Sequence, residues 1–263
     1  MTVDRRCVER RTGLLNAQGL GGHTLVRVDW NDYDAALFDL DGVITPTAEV
    51  HMRAWAQMFG DFLRSRGIDE PYTDADYYTY VDGKPRYDGV RSMLRSRGLQ
   101  LAEGDPSDGP DVETVCGLGN RKNAFFTAAL ADGVDPYPGS VVLLDHLAGR
   151  GTAVAVVSSS RNAPAVLEAA GLADRFEVVV DGALAQREGL AGKPSGATYV
   201  HAAERLGVPV QRTVVFEDAL SGVEAGRDGG FGLVVGVERG VGAERLTAAG
   251  ADVVVTDLAE LAR

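Results

Sequence analysis

Two aspartates close an apolar run in "FDLDGVIT" (residues 38–45): Asp39 and Asp41, two positions apart and followed at once by Gly42. Crowding two carboxylates is costly, because each charge raises the pKa of the other. More polar groups stand at the ends of other apolar runs: Ser158 after "TAVAVV", Glu217 and Asp218 after "TVVF", and Lys193 in "AGKPSG" between two such runs. If they converge, four carboxylates, one hydroxyl and one ammonium share a site. Such a set stays ionised only around a cation, and all-oxygen ligation favours Mg²⁺ over zinc. A metal beside a lysine clamps a phosphoryl group, whose equatorial oxygens need positive charge during transfer. Asp39 is then placed to attack phosphorus, and Asp41 to move a proton to and from the leaving oxygen.

Each piece taken alone has a plainer reading. Asp-x-Asp is often a turn, Ser158 a helix cap, Lys193 a solvated charge and "FED" a helix start. What favours chemistry is the ordered set, with members at the ends of different strands. Ligands of a parallel sheet bind at those C-terminal ends.

The elements that must position these groups can be read from hydrophobic patterning. Apolar runs ending at Asp41, Ser158, Asp181 and Asp218, then "FGLVVGV" and "ADVVVTD", alternate with helical stretches such as 163–170 and 196–206. Strands apolar on both faces and alternating with helices predict an α/β fold, a doubly wound parallel sheet. Between the first strand and the second, the pattern is helical. "AEVHMRAWAQMFGDFLRSR" places Met52, Trp55, Phe59 and Phe62 three and four apart, and "GDPSDGP" (104–110) reads as a surface loop. The expected division is therefore an extension over 1–31, a core over 32–46 and 139–263, and an inserted helical domain over 47–138. "GLGNRKN" (117–123) contains a Gly-x-Gly but follows no strand, so it is not read as a nucleotide loop.

Four ordered stretches resemble the motifs of the haloacid dehalogenase superfamily of phosphotransferases: "FDLDGVIT", "AVVSSS", "GKPSGATY" and "VVFEDALSGVEAG". The resemblance spans about residues 34–260 and implies that superfamily's Rossmann-like core. The insertion falls where the superfamily carries its mobile cap. Within it, the β-phosphoglucomutase family is most similar, with Thr47, His51 and Trp55 in "TAEVHMRAW", Arg86 in "GKPRYDGV", Lys122 in "RKN", and Ser160, Arg161 and Asn162 in "SSSRN". This resemblance implies that Asp39 is phosphorylated and that Asp41 serves as acid and base. It implies that Ser158, Ser159 and Lys193 bind the transferred phosphate, and that Thr47, His51, Trp55, Arg86, Lys122, Ser160, Arg161 and Asn162 contact the rest of the substrate. Mg²⁺ is then held by Asp39, the Asp41 carbonyl, Glu217 and Asp218. The implied reaction converts β-glucose 1-phosphate to glucose 6-phosphate through glucose 1,6-bisphosphate, with a sugar-phosphate phosphatase of the same chemistry as the alternative. Three positions depart from the family pattern. Asp82 stands where the best-known mutases have lysine, Gly89 stands where they have serine, and "KPSGA" replaces "KPAPD", removing an acid near Lys193.

Other classes fit less well. Carbon–halogen hydrolysis goes with loss of the second aspartate, and Asp41 is present. A retired, non-catalytic module usually lacks a nucleophile or metal ligand, and none is missing. The 263-residue chain has a formal charge of -12, which argues against nucleic acid or an anionic membrane as partner. Cys7 and Cys116 have no metal-ligand spacing and are read as ordinary thiols. The N-terminus lacks the apolar core of a secretory signal. The expectation is a soluble, cytoplasmic monomer acting on a small sugar phosphate, with cap hinges near 45–47 and 135–139.

Overall fold

The computed structural model describes residues 14–18, 24–131 and 133–263. Six strands form one sheet: β3 (Ala35–Phe38), β4 (Ala153–Val157), β5 (Val178–Val180), β6 (Thr213–Glu217), β7 (Leu233–Val237) and β8 (Val253–Val255). Their order is β5-β4-β3-β6-β7-β8, and every neighbouring pair is parallel. From β3 the chain winds outwards through β4 and β5, then returns to β6 and winds the other way. The crevice at such a switch point is where the C-terminal ends of β3 and β6 open.

The apolar runs are continuous because both sheet faces are covered. Side chains alternate across a strand, so Ala36, Phe38, Val156, Val214, Phe216 and Val235 meet one helical layer while Leu37, Ala155, Val157, Val215 and Val234 meet the other. The first layer includes α5 (Pro138–Arg150) and α6 (Ala163–Ala169); the second includes α7 (Gly182–Arg187), α8 (Ala197–Leu206), α9 (Leu220–Asp228) and α10 (Ala243–Ala249). The Phe38 and Phe216 rings stack 4.6 Å apart beside the switch point. Leu37, with no exposed surface, is a position where truncation to alanine costs about 2–5 kcal/mol.

The predicted insertion is helical. It contains α1 (Thr47–Ser65), α2 (Asp74–Asp76) running into a π-helical turn at Tyr77–Val81, α3 (Arg86–Ser96) and α4 (Val115–Leu130). These share their own apolar cluster, with Trp55, Phe59, Phe62, Val90, Met93 and Leu118. The Gly-x-Gly pair, Gly117 and Gly119, lies buried inside α4. Cys116 is a buried free thiol, and Cys7 lies outside the described residues. The outgoing and returning crossings lie side by side. Tyr137 N donates to Ile44 O (2.9 Å) and Ser140 Oγ to Val43 O (2.6 Å). Arg239 Nε donates to Gly42 O (2.9 Å), and its guanidinium lies 4.0 Å from the Tyr137 ring centre.

The N-terminal boundary differs from the expectation. Residues Leu14–Gln18 (β1) and Thr24–Val28 (β2) pair antiparallel ahead of the first sheet strand; residues 1–13 and 19–23 of the expected extension lie outside the described residues. Val28 and Trp30 are buried in the core, and Trp30 Nε1 donates to Leu261 O at 2.9 Å. Packing against the C-terminal turn therefore starts before residue 32, through an indole whose N–H needs a partner once buried. Among the described residues, no helix is long and apolar enough to cross a membrane.

Candidate active site

Asp39 follows β3 directly and prolongs its ladder, its amide donating to Phe216 O at 2.9 Å. Glu217 is the last residue of β6, and Asp218 comes next. Strand pairing thus brings three carboxylates together, with one oxygen of each within 4.8 Å of the others. The loop between them needs Gly42. Its φ is +88°, and a β-carbon there would lie 1.8 Å from Asp218 Oδ2. This is the physical reason for glycine immediately after the second aspartate.

Lys193 lies beneath this group. Its Nζ donates to Asp39 Oδ1 (2.5 Å), Glu217 Oε1 (2.5 Å) and Val157 O (3.2 Å). The acid absent from "KPSGA" is supplied from elsewhere, since Asp228 Oδ2 on α9 accepts from Gly196 N at 2.8 Å. One ammonium does not balance three buried carboxylates. Burial and the neighbouring acids push Asp39 and Asp218 well above the ordinary carboxylate range, against the pull of Lys193. An all-oxygen, electron-rich, under-neutralised triad fits a hard divalent cation, and Asp39, Glu217 and Asp218 are the side chains that would hold it.

Asp41 stands outside the triad. Burial opposes its charge, but His51, Thr47 and Lys122 overcome that and hold the carboxyl at about 2. His51 Nε2 lies 3.3 Å from Asp41 Oδ1, and Ser158 Oγ donates to Oδ2 at 3.4 Å. Thr47 does not line the pocket as the resemblance implied. It has no exposed surface, its hydroxyl donates to Asp41 Oδ1, and it shares a 2.7 Å hydrogen bond with Thr45 Oγ1. It sits behind Asp41 because the first turn of α1 begins immediately after the loop.

The far wall of the pocket comes from the insertion. Lys122 Nζ reaches His51 Nδ1 and lies 5.1 Å from the Trp55 ring centre; burial and Arg86 push it down to about 7 despite Asp41. His51 stacks on Phe126 at 4.0 Å, and burial lowers its pKa. Arg86 donates to Asn120 Oδ1 (3.3 Å) and Asn123 Oδ1 (2.7 Å), and Asn162 Nδ2 donates to that same Asn123 oxygen (2.7 Å). Arg86, Ser160, Arg161 and Asn162 line the pocket together with Trp55, His51 and Lys122. Ser159 also lines it, but its hydroxyl donates to Gly83 O at 2.8 Å and joins core to insertion. Ser221 Oγ makes a second such link, to Asp82 O at 3.3 Å.

Of the departing positions, Asp82 lines the pocket and is raised to about 6 by burial. Gly89 does not reach it, being buried against Val81 and Trp55. Sequence reasoning passed over Tyr199, Asn120, Asn123, Ser221 and Lys84. Tyr199 stood inside the quoted "GKPSGATY", and Asn123 beside Lys122, but nothing local marks either as a partner of residues far along the chain.

A haloacid dehalogenase-like hydrolase family model matches residues 33–230. A β-phosphoglucomutase of Mycobacterium bovis is 50% identical over 238 residues, covering 86% of this chain and 90% of its own. That of Bacillus subtilis is 33% identical over 229 residues, 86% and 91% of the two chains. Among solved structures, a β-phosphoglucomutase from Clostridium difficile shares the fold, with a TM-score of 0.72 at 24% identity over 87% of this chain and 93% of that one. With an acidic strand-end triad beneath a helical insertion, and relatives covering most of its length, this chain belongs to the haloacid dehalogenase-like hydrolases, among the β-phosphoglucomutase-like members of that family.

Proposed function

We propose that the protein is an Mg²⁺-dependent phosphomutase that interconverts β-D-glucose 1-phosphate and glucose 6-phosphate through phospho-Asp39 and glucose 1,6-bisphosphate. The observation that carries this reading is the pocket's two ends: a cation-fitting carboxylate triad on the sheet, and a separate basic wall with Arg86 and Lys122 on the insertion. A substrate with a phosphate at each end needs both; a monophosphate being hydrolysed needs one. The names of the relatives at 50% and 33% identity support the same choice.

In this reading an Asp39 oxygen attacks the phosphoryl group of the bisphosphate, and the sugar oxygen leaves with the proton that Asp41, ionised at rest, took up in the other half. In the reverse half, Asp41 accepts the proton of the other sugar hydroxyl as that oxygen attacks phospho-Asp39. Bound Mg²⁺ supplies positive charge that lets two anions approach. Ser158 and Lys193 hold the oxygens of the group in transit. Thr47 and His51 keep Asp41 aimed at the pocket, and Arg86, with Arg161 and Asn162, grips the resting phosphate. Contact between the walls through Ser159 and Ser221 excludes water, which would otherwise take the phosphoryl group.

The test is an anomer-resolved assay with β-glucose 1-phosphate, Mg²⁺ and a trace of bisphosphate. Glucose 6-phosphate is expected; inorganic phosphate without isomer overturns the proposal. One feature favours the second reading, sugar-phosphate hydrolysis. Asp82 is a pocket-lining carboxyl, with a pKa of about 6, able to orient a water molecule. If that reading holds, Asp82→Asn slows phosphate release.

A further inference from the structure

Tyr199 sits in the first turn of α8, six residues after Lys193, with no exposed surface. Its ring meets Phe231 edge-on with centroids 6.0 Å apart, which fixes its plane. Its hydroxyl donates to Glu217 Oε1 at 2.8 Å. Lys193 Nζ donates to the same oxygen at 2.5 Å and lies 5.1 Å from the centre of the Tyr199 ring. Oε1 thus accepts two donors, which matches its two lone pairs. Among the described residues, Oε2 has only the Ala219 amide, at 3.3 Å.

That asymmetry has a mechanical meaning. The terminal torsion of glutamate is broad, so a carboxylate held by one donor can rotate. Lys193 alone cannot prevent this, because it also serves Asp39 and a backbone carbonyl. A second, rigid donor on the same oxygen removes the freedom and leaves the other oxygen facing a constant direction.

We propose that the Tyr199 hydroxyl is a positioning group for the cation site: it occupies Glu217 Oε1 and keeps Oε2 turned towards an ion shared with Asp39 and Asp218. The inference rests on the reading that this triad holds a divalent cation. It does not depend on whether the acceptor is sugar or water. Hydrogen-bond partners of metal ligands commonly set affinity by about 10–100-fold.

Tyr199→Phe removes one oxygen and keeps the ring. Calorimetric titration of the substrate-free protein with Mg²⁺ is expected to give a Kd about 10-fold weaker than wild type. The Tm of the EDTA-treated variant should fall only by the few degrees that one buried hydrogen bond is worth, and kcat should recover at saturating Mg²⁺. Tyr199→Leu, which also disturbs packing, should lower that metal-free Tm. Unchanged Mg²⁺ affinity in Tyr199→Phe overturns the inference, as does a kcat that stays low when Mg²⁺ saturates the variant. A wild-type protein that takes up no Mg²⁺ overturns the cation reading itself, and this inference with it.

Discussion

On the sheet side of the pocket the surplus charge is negative; on the side of the insertion it is positive. Asp39 and Glu217 share one ammonium with Asp218 beside them, and burial lifts Asp39 and Asp218 above their ordinary range. Lys122 and Arg86 face the pocket from the other wall, and burial lowers both. Each wall therefore carries a desolvation cost that a ligand of opposite sign would relieve, a cation at one and an anion at the other. The walls also differ in how they are built. The carboxylates stand on strand ends locked by ladder bonds, whereas the basic groups stand on helices whose approach depends on a few contacts such as Ser159 to Gly83.

The largest expected effect comes from the first wall. Asp39→Asn should lower phosphoryl transfer at least about 10³-fold, as loss of a nucleophile does, and abolish any acid-stable, base-labile phosphoprotein seen with radiolabelled bisphosphate. An adduct of undiminished yield would place the nucleophile elsewhere. Next is the opposite wall. Arg86→Ala removes a charge-assisted contact and should raise KM for the bisphosphate about 10²-fold with a smaller change in kcat. Equal losses in KM and kcat would mean that Arg86 acts on the chemistry itself.

The contact between the walls is a smaller target. Gly83 has a φ of +68°, and a β-carbon there would lie 2.1 Å from Ser221 Oγ. Gly83→Ala adds about 1–2 kcal/mol of left-handed strain as well as the clash. It should weaken substrate binding roughly 10-fold while leaving Mg²⁺ affinity of the free protein unchanged. Parallel loss of both would show that the walls are not separable.

The mildest test uses pH. Lys122 stands at about 7 in the folded protein against an ordinary 10.5. Between those values the unfolded chain binds the proton that the folded protein has released, so this group makes stability rise with pH across that window. Lys122→Met should accordingly be the more stable protein near pH 6, by roughly a few degrees of Tm, with the advantage shrinking by pH 9. An advantage that does not change with pH would mean that the burial cost is not electrostatic.

The two walls also differ in how far they could be read from residues alone. Acids at the ends of apolar runs announce themselves, because little else puts Asp39, Asp41, Glu217 and Asp218 after buried strands, and the alternation of runs and helices gave the sheet that unites them. Distant partners leave no such mark. Asp228 stands 32 positions from the Gly196 amide it satisfies, and Tyr199 is 18 from Glu217. Thr47 was known by its neighbours in sequence, yet its hydroxyl points back to Asp41 and not into the pocket. The pairing of Leu14–Gln18 with Thr24–Val28 escapes sequence reading for another reason: "LLNAQ" carries no period-two alternation, and glycines at 19, 21 and 22 separate it from "TLVRV".

The crossings between sheet and insertion have a last consequence. Because Tyr137 is bonded to Ile44, Ser140 to Val43, and Arg239 pins both lines at Gly42 and the Tyr137 ring, neither thread can swivel without dragging the other. Such doubled tethering permits rocking about one axis and resists twisting. Any rocking of the insertion would return it to the same alignment. In the proposed phosphomutase cycle, a bisphosphate that turned end over end between half-reactions would then meet an unchanged span between the two walls, whichever of its ends came first.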